Sequence, residues 1–279
     1  MAKFSDVLLT TDYDRTLTAP DASVPARNIE AIRYFIDNGG SFTVNTGRTI
    51  PSFGGLMNAV PANAPFLLYN GAAAYDQFAG KFLFTHEIEL DWTEVWQKIR
   101  KRFPSVWFEF QGEKAHYLLR ENKMWETFCG NNHYPWAYAK PGEDLGPFLK
   151  FCIYEKIADG TVAHFFNGTD AEIALMDDVE QWLNEEFGSQ CMVVRGAGLY
   201  IDVQTLGVSK GRSSIELKEK LGKKLLVCIG DADNDVSMLD AADFPFCPCD
   251  AIVKDRYPNV CSCSDGAVAD LIYNCIPNL

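Results

Sequence analysis

The sequence predicts an α/β protein: a doubly wound, parallel-sheet, Rossmann-like core interrupted by an inserted α+β module. Three observations carry that expectation. The first 45 residues read strand, helix, strand, the unit that builds a parallel sheet. Short apolar runs at both ends of the chain each stop at a polar or acidic residue. The middle of the chain changes character, with longer amphipathic helices set among short strands.

Taken in order, Val7–Thr11 (VLLTT) has strand length and runs into Asp12. A helix follows. Pro25 fits its first turn, Ile29, Ile32, Phe35 and Ile36 recur at helical spacing, and Gly39–Gly40 stop it. Ser41–Asn45 (SFTVN) is a second strand leading into Thr46, and Phe66–Tyr69 a further one leading into Asn70–Gly71. From about residue 84 the pattern differs. Asp91 with Glu94 resembles a helix N-terminus, and Trp92, Val95, Trp96, Ile99 and Phe103 form one stripe. Ala171–Phe187 is a second amphipathic helix, with Ile173, Met176, Val179, Trp182, Leu183 and Phe187 on one side. Val106–Phe110, His116–Arg120, Leu149–Glu155 and Cys191–Arg195 read as strands around these helices, whose aromatic stripes read as core. The first pattern then returns. Ser209–Leu221 is a helix with Ser209 as N-cap, Leu225–Ile229 (LLVCI) runs into Gly230 and Asp231, and Asn234–Ala241 starts another helix. The core is expected over 1–83 and 196–279, and the inserted module over 84–195.

Composition bounds the function. Of 279 residues, 47% are hydrophobic and 23% charged, enough for two ordinary folded units. A net charge of −13 argues against nucleic acid and anionic membrane as partners. With no membrane-length apolar run and no signal-peptide core, a cytoplasmic protein is expected. The nine cysteines fit a reducing compartment: their number is odd and no C-x-x-C occurs. Cys247, Cys249, Cys261 and Cys263 form two C-x-C pairs, which are closer spaced than the usual zinc pairs. They read as small buried residues on two neighbouring strands, with a four-sulfur metal site as the alternative.

In open parallel sheets, ligands lie beyond the carboxyl ends of the strands. Asp12, Thr46 and Asp231 would therefore converge, although they are far apart in sequence. Asp12, Asp14, Asp231 and Asp235, with Asp233 nearby, would crowd several negative charges into one crevice. Two such charges 4 Å apart repel by ~4 kcal/mol at an effective dielectric near 20. A cluster of that kind needs a cation or raised pKa values, and oxygen-only ligands favour Mg²⁺. Lys210 adds fixed positive charge, and Thr46 with the Gly47 N–H adds donors, so the set suits phosphoryl transfer. A carboxylate can attack phosphorus, and a second acid two residues on can protonate the leaving oxygen and then activate water. Each piece alone has a plainer reading. Asp-x-Asp is commonly a turn, Thr46-Gly47 a strand exit, Lys210 a surface lysine, and Gly230–Asp235 a capped loop. Their joint order favours the site.

Asp12-Tyr-Asp14-Arg-Thr16, Thr46-Gly47-Arg48, Lys210 in GVSKG, and Gly230-Asp231-Ala-Asp-Asn234-Asp235 resemble, in order, the four motifs of the haloacid dehalogenase-like hydrolases. Asn70-Gly71-Ala72 and Tyr200-Ile-Asp-Val are similar to the Cof-like phosphatases with a type IIB cap. The resemblance implies a Mg²⁺-dependent phosphatase acting on small phosphate monoesters, sugar phosphates among them, through an aspartyl phosphate. It implies Asp12 as nucleophile and Asp14 as acid/base. Thr46, Gly47, Arg48, Lys210 and Asn234 would face phosphate, and Asp12, Asp14 (through its backbone carbonyl), Asp231 and Asp235 would serve the metal, with Asp235 supporting either it or Lys210. Residues 84–195 would be a cap closing over the crevice, where Trp107, Arg120, Trp125, Tyr134 and Trp136 are candidate substrate contacts. One departure stands out: Arg15 occupies a position where the family usually has glycine. Either the turn differs or the guanidinium points to the cap mouth.

The rivals are weaker. Gly207-Val-Ser209-Lys-Gly211 fits a serine-hydrolase elbow, but that fold needs a histidine after the serine and the last one is His164. The four histidines, 86, 116, 133 and 164, read as surface or structural residues. A phospho-receiver module would place its acids before its lysine, and Arg195–Gly198 lacks the third glycine of a dinucleotide fingerprint. A phosphomutase, or a non-catalytic regulatory protein on the same fold, remains as the alternative.

Overall fold

The computed structural model describes residues 3–155 and 168–279, so His164 lies outside the described residues. The chain runs β1 (Val7–Thr11), α1 (Ala26–Asp37), β2 (Ser41–Val44), α2 (Ile50–Met57), β3 (Phe66–Leu68), β4 (Ala73–Asp76) and β5 (Lys81–Thr85). It continues through α3 (Trp92–Arg102), β6 (Trp107–Gln111), β7 (His116–Leu118), α4 (Lys123–Asn131), β8 (Trp136–Tyr138), β9 (Lys150–Tyr154), α5 (Asp170–Phe187), β10 (Cys191–Ala197) and β11 (Tyr200–Thr205). It ends with α6 (Lys210–Lys220), β12 (Leu225–Ile229), α7 (Val236–Ala241), β13 (Phe244–Pro248), β14 (Asn259–Val260) and α8 (Ala267–Asp270). Two compact units result: Met1–Arg48, Leu56–Phe84 and Ser209–Leu279 form the first, Thr49–Gly55 and Thr85–Val208 the second.

The first unit is built on a five-stranded parallel sheet of order β14-β13-β12-β1-β2. Every residue of β1 is buried, as a strand covered on both faces requires, which explains its unbroken apolar run. Helix α1 buries Ala31, Ile32 and Phe35; the Phe35 ring fills the space a Cβ at Gly40 would need, 2.3 Å away, so the turn after the helix must be glycine. The chain leaves β1 for β2 on one side, and returns through β12 on the other. Thr11 pairs with Val44 and with Ile229, so the carboxyl ends of β1, β2 and β12 are level at this switch point. A small sheet, β3-β4-β5, continues from a bridge between Asn45 and Leu67. The helix expected from Asn234 begins as a tight 3₁₀ turn, Asp233–Asp235, before α7.

The second unit is a six-stranded sheet, β10-β11-β9-β6-β7-β8, antiparallel except for the parallel pair β7–β8. Strand alternation gives it two unlike faces. Phe108, Phe110, Phe151, Ile153, Ile201 and Val203 pack with Val95, Ile99, Met176, Val179, Leu183 and Phe187 of α3 and α5. Asp91 caps α3 by accepting from the Thr93 and Glu94 amides, as the sequence suggests. The opposite face carries Glu109, Gln111, Lys150, Cys152, Tyr154, Asp202 and Gln204. This unit extends to Val208, beyond the expected return at 196, because β11 pairs with β10 and β9 and buries Ile201 and Val203 in the unit's own core.

Two sequence expectations about side chains resolve here. Trp125 is fully buried with its indole N–H on Glu109, and Arg120 donates to the carbonyls of Pro104, Ser105 and Val106 while stacking 3.8 Å over Trp107. Both are therefore engaged in architecture. Strands β13 and β14 do neighbour each other, but Cys249 is exposed and the Cys263 thiol donates to Asp250. Among the described residues, the four sulfurs do not gather into a metal-sized cluster.

Candidate active site

Strand β1 delivers Asp12, whose amide extends the ladder by donating to Ile229 O at 2.9 Å. Beside it, Lys210 opens α6. Ser209 caps that helix by accepting from the Arg212 amide, so Lys210 takes the first helical position, where it is 1% exposed. The Lys210 ammonium donates to Asp12 Oδ1 and to Asp235 Oδ1, both at 2.6 Å. The other oxygen of Asp235 accepts from the amides of Asp231 (2.9 Å) and Ala232 (3.1 Å), which fixes the loop after β12. Gly230 is obligatory there: a Cβ would lie 2.5 Å from that of Asp235. Asp231 accepts from the Thr16 hydroxyl at 3.1 Å. Asp12, Asp231 and Asp235 each present a carboxylate oxygen within 4.8 Å of the others.

This assembly holds three acids against one ammonium, all buried. Burial is the largest influence on Asp12 and raises its carboxyl well above the usual range; Lys210 opposes the rise, while Asp235 and Asp231 add to it. Asp231 is pushed up to about 6, by burial first and then by Asp235. Burial alone would depress Lys210, but Asp12 and Asp235 outweigh it and hold the ammonium protonated. Carboxyls raised by burial first and by one another second are what a divalent cation would relieve, and an all-oxygen donor set suits Mg²⁺. The residues present fit that ion.

The loop after β2 is tied to the same helix start. Asn45 Nδ2 donates to Lys210 O (2.8 Å) and to the hydroxyls of Ser213 and Ser214. The buried Thr46 donates its amide to Leu67 O, and its hydroxyl accepts from the Arg48 amide. A side chain at Gly47 would strike Asn70 Oδ1 at 2.6 Å. Gly71, at φ 95°, lies where a Cβ would be 2.5 Å from Ser209 O. Thr46-Gly47, Asn70-Gly71 and Ser209-Lys210 thus pack as one block.

Three further expected site residues are less buried than this cluster. Asp14 is half-exposed and gripped by Arg48 through two bonds, Nε to Oδ2 at 2.9 Å and Nη2 to Oδ1 at 2.8 Å. Arg48, expected at phosphate, serves this pair and lies 5.4 Å over the Tyr13 ring. Asn234 is exposed in the 3₁₀ turn. Arg15 answers its own question: it adopts φ 60°, ψ 12°, the left-handed geometry that glycine takes freely, so the turn is kept and arginine carries the strain. Thr16 and Asn45 were not singled out from sequence, although both lie inside or beside the motifs; a threonine hydroxyl or asparagine amide at a strand exit is the only signal they give.

Comparison with known proteins agrees with this geometry. A family model described as haloacid dehalogenase-like hydrolase matches residues 9–254. A Haemophilus influenzae protein with a provisional phosphatase name is 24% identical over 237 residues, covering 84% of this chain and 82% of its own. Among solved structures, a haloacid dehalogenase-like hydrolase from Bacteroides thetaiotaomicron superposes with TM-score 0.78 at 18% identity, covering 95% of this chain and 97% of its own. Another, described as a subclass IIB sugar phosphatase, gives 0.71 at 18% identity over 96% of this chain and 99% of its own. With a match over most of its length, three motifs at strand ends and a fourth at the start of α6, the chain belongs to the haloacid dehalogenase-like hydrolases.

Proposed function

We propose that this protein is a Mg²⁺-dependent phosphatase of small phosphate monoesters, sugar phosphates among them, working through an aspartyl phosphate on Asp12. The observation that carries the reading is the buried Asp12–Lys210–Asp235 clamp at a topological switch point, with Asp231 alongside. Asp12 Oδ attacks phosphorus as the ester oxygen departs, taking a proton from Asp14. Asp14 then accepts a proton from water as that water attacks the phosphoenzyme, releasing phosphate and restoring Asp12. Lys210, Thr46 and the Gly47 N–H hold phosphoryl oxygens, and Asn234 lies within the loop that follows β12. Arg48 holds Asp14. Asp12, Asp231 and Asp235, with the Asp14 carbonyl, would hold Mg²⁺, which when bound offsets the charge of phosphate so that it can approach carboxylates.

We assign the second unit the part of the substrate-selecting cap, and place the enzyme in the cytoplasm. The subclass IIB sugar phosphatase with the same fold supports the sugar-phosphate class. The test is release of nitrophenol and inorganic phosphate from p-nitrophenyl phosphate. Activity is expected to vanish with chelator, return with Mg²⁺, and fall by roughly a thousandfold or more in Asp12→Asn. Undiminished turnover in that variant would overturn the nucleophile assignment.

A further inference from the structure

We infer that Asn45 is a positioning residue, whose side-chain amide holds the backbone of Lys210 so that the ammonium meets Asp12. Its effect on turnover rests on the phosphatase reading, and every residue concerned lies in the first unit. Asn45 directly follows β2 and is fully buried. Its backbone amide donates to Thr11 O at 2.8 Å, which prolongs the β1–β2 ladder to the residue beside Asp12. Its side-chain Nδ2 donates to Lys210 O at 2.8 Å and to Ser214 Oγ at 3.0 Å, with Ser213 Oγ farther off at 3.3 Å. A carbonyl only accepts, so the nitrogen end of the amide must face Lys210.

These bonds close a ring. Asn45 N meets Thr11 O, Thr11 is joined to Asp12, Asp12 Oδ1 accepts from the Lys210 ammonium at 2.6 Å, and Lys210 O accepts from Asn45 Nδ2. A lysine stem is flexible, so its ammonium is placed from two ends: by the partners of the nitrogen and by the position of the backbone. Asp12 and Asp235 fix the first end. Asn45 fixes the second, together with Ser213 Oγ, which donates to the same carbonyl at 3.1 Å. Towards α7 the helix start has no slack, because a Cβ at Gly211 would strike Ser237 O. Thr46, the next residue after Asn45, is the proposed phosphoryl donor, so one asparagine sets that donor and Lys210 to a common frame.

The other end of the same amide separates this role from a general stabilising one. Among the described residues, Asn45 Oδ1 is buried without a hydrogen-bond partner. An unpaired buried acceptor is uncommon and destabilising. An asparagine that only pinned the strand end would be expected to pair both of its polar atoms. Here the donor end alone is engaged, and its shortest contact is the carbonyl of Lys210.

The test compares wild type with Asn45→Leu, which keeps the shape while removing the donor and the unpaired acceptor together. For p-nitrophenyl phosphate, Asn45→Leu is expected to lower kcat about tenfold with KM within about threefold, while its urea midpoint stays close to that of wild type. Labelling of lysines with acetic anhydride, mapped by mass spectrometry, reads Lys210 itself: its rate is expected to rise about tenfold, with amide exchange of β1 unchanged. Should Asn45→Leu not fold, two serine variants take its place. Ser213→Ala removes a bond to Lys210 O and is expected to lower kcat about fourfold and to raise Lys210 labelling to match. Ser214→Ala removes a bond to Asn45 alone and is expected to leave both within about twofold. Wild-type labelling of Lys210 in Asn45→Leu would overturn the proposal, as would equal effects of the two serine variants. Labelling needs no turnover, so it reads this inference even if the wild type fails to hydrolyse the ester, an outcome that would strike the phosphatase reading instead.

Discussion

The two units each bury a lysine among carboxylates, and the two clusters are built to opposite ends. In the first unit, Lys210 faces Asp12 and Asp235 with Asp231 close by, so acids exceed bases by two. In the second, Lys150 meets Asp202 at 2.8 Å, one cation for one acid, and nearby Glu109 accepts from His116 Nδ1, the Trp125 indole N–H and the Gln111 amide. Burial would lower the Lys150 ammonium, but Asp202 reverses this and holds it protonated. A count of buried charges would rank the clusters alike. Their balance separates them: the matched set has nothing left to recruit, whereas the unmatched set carries raised carboxyls that a cation and a phosphoryl group can satisfy in turn.

The largest test of that contrast is thermodynamic. Lys150→Met strands Asp202, whose side chain is 14% exposed, and is expected to cost about 2–3 kcal/mol in urea melts. Asp12→Asn removes one of three crowded acids while Asp235 still neutralises Lys210, so it should stay within about 1 kcal/mol of wild type in metal-free buffer. Equal losses in the two variants would erase the distinction. A second test uses pH. The folded Asp231 carboxyl titrates at about 6, above its unfolded value, so the fold favours its protonated form. That contribution is complete below about pH 4 and is lost as pH rises through 6. Allowing for partial solvent access, it amounts to about 1–2 kcal/mol, and Asp231→Asn should flatten this part of the metal-free profile. Mg²⁺ should restore stability at neutral pH, by about 2.7 kcal/mol at a hundredfold excess over Kd, in wild type and far less in the variant. The smallest effect concerns Arg15. Arg15→Gly relieves the left-handed backbone and should gain about 1 kcal/mol at pH 5. The gain should shrink at pH 7, because Arg15 also helps ionise Asp231. A pH-independent gain would assign the effect to backbone alone.

The elements proposed to carry chemistry were legible because their residue types are rare where they occur. An acid directly after an apolar strand, at Asp12 and again just past Ile229, is hard to mistake once the parallel strands align their ends. Lys210 was legible through its helix start and Ser209 cap. The hydrogen bonds linking Glu109, His116 and Thr49 were not legible, because these residues meet only through strand register and because Thr49–Gly55 belongs to the second unit. Helix α2 was passed over because Pro51, Gly54 and Gly55 obscure its periodicity, and α4 because Lys123–Asn131 is short and mixed. Strand β11 was visible only as a motif, and its pairing with β9 and β10 moved the boundary between units by thirteen residues (196 to 209).

Gly230 has no side chain and ionises nothing, yet even a methyl group there would collide with Asp235, whose two oxygens hold Lys210 and the Asp231 loop. In a saturation-mutagenesis map this position should therefore tolerate as little change as Asp12, the proposed nucleophile, with alanine already inactive. An intolerant site without a functional group is easily overlooked when variants are triaged by chemistry; here it marks the clearance on which the whole clamp closes.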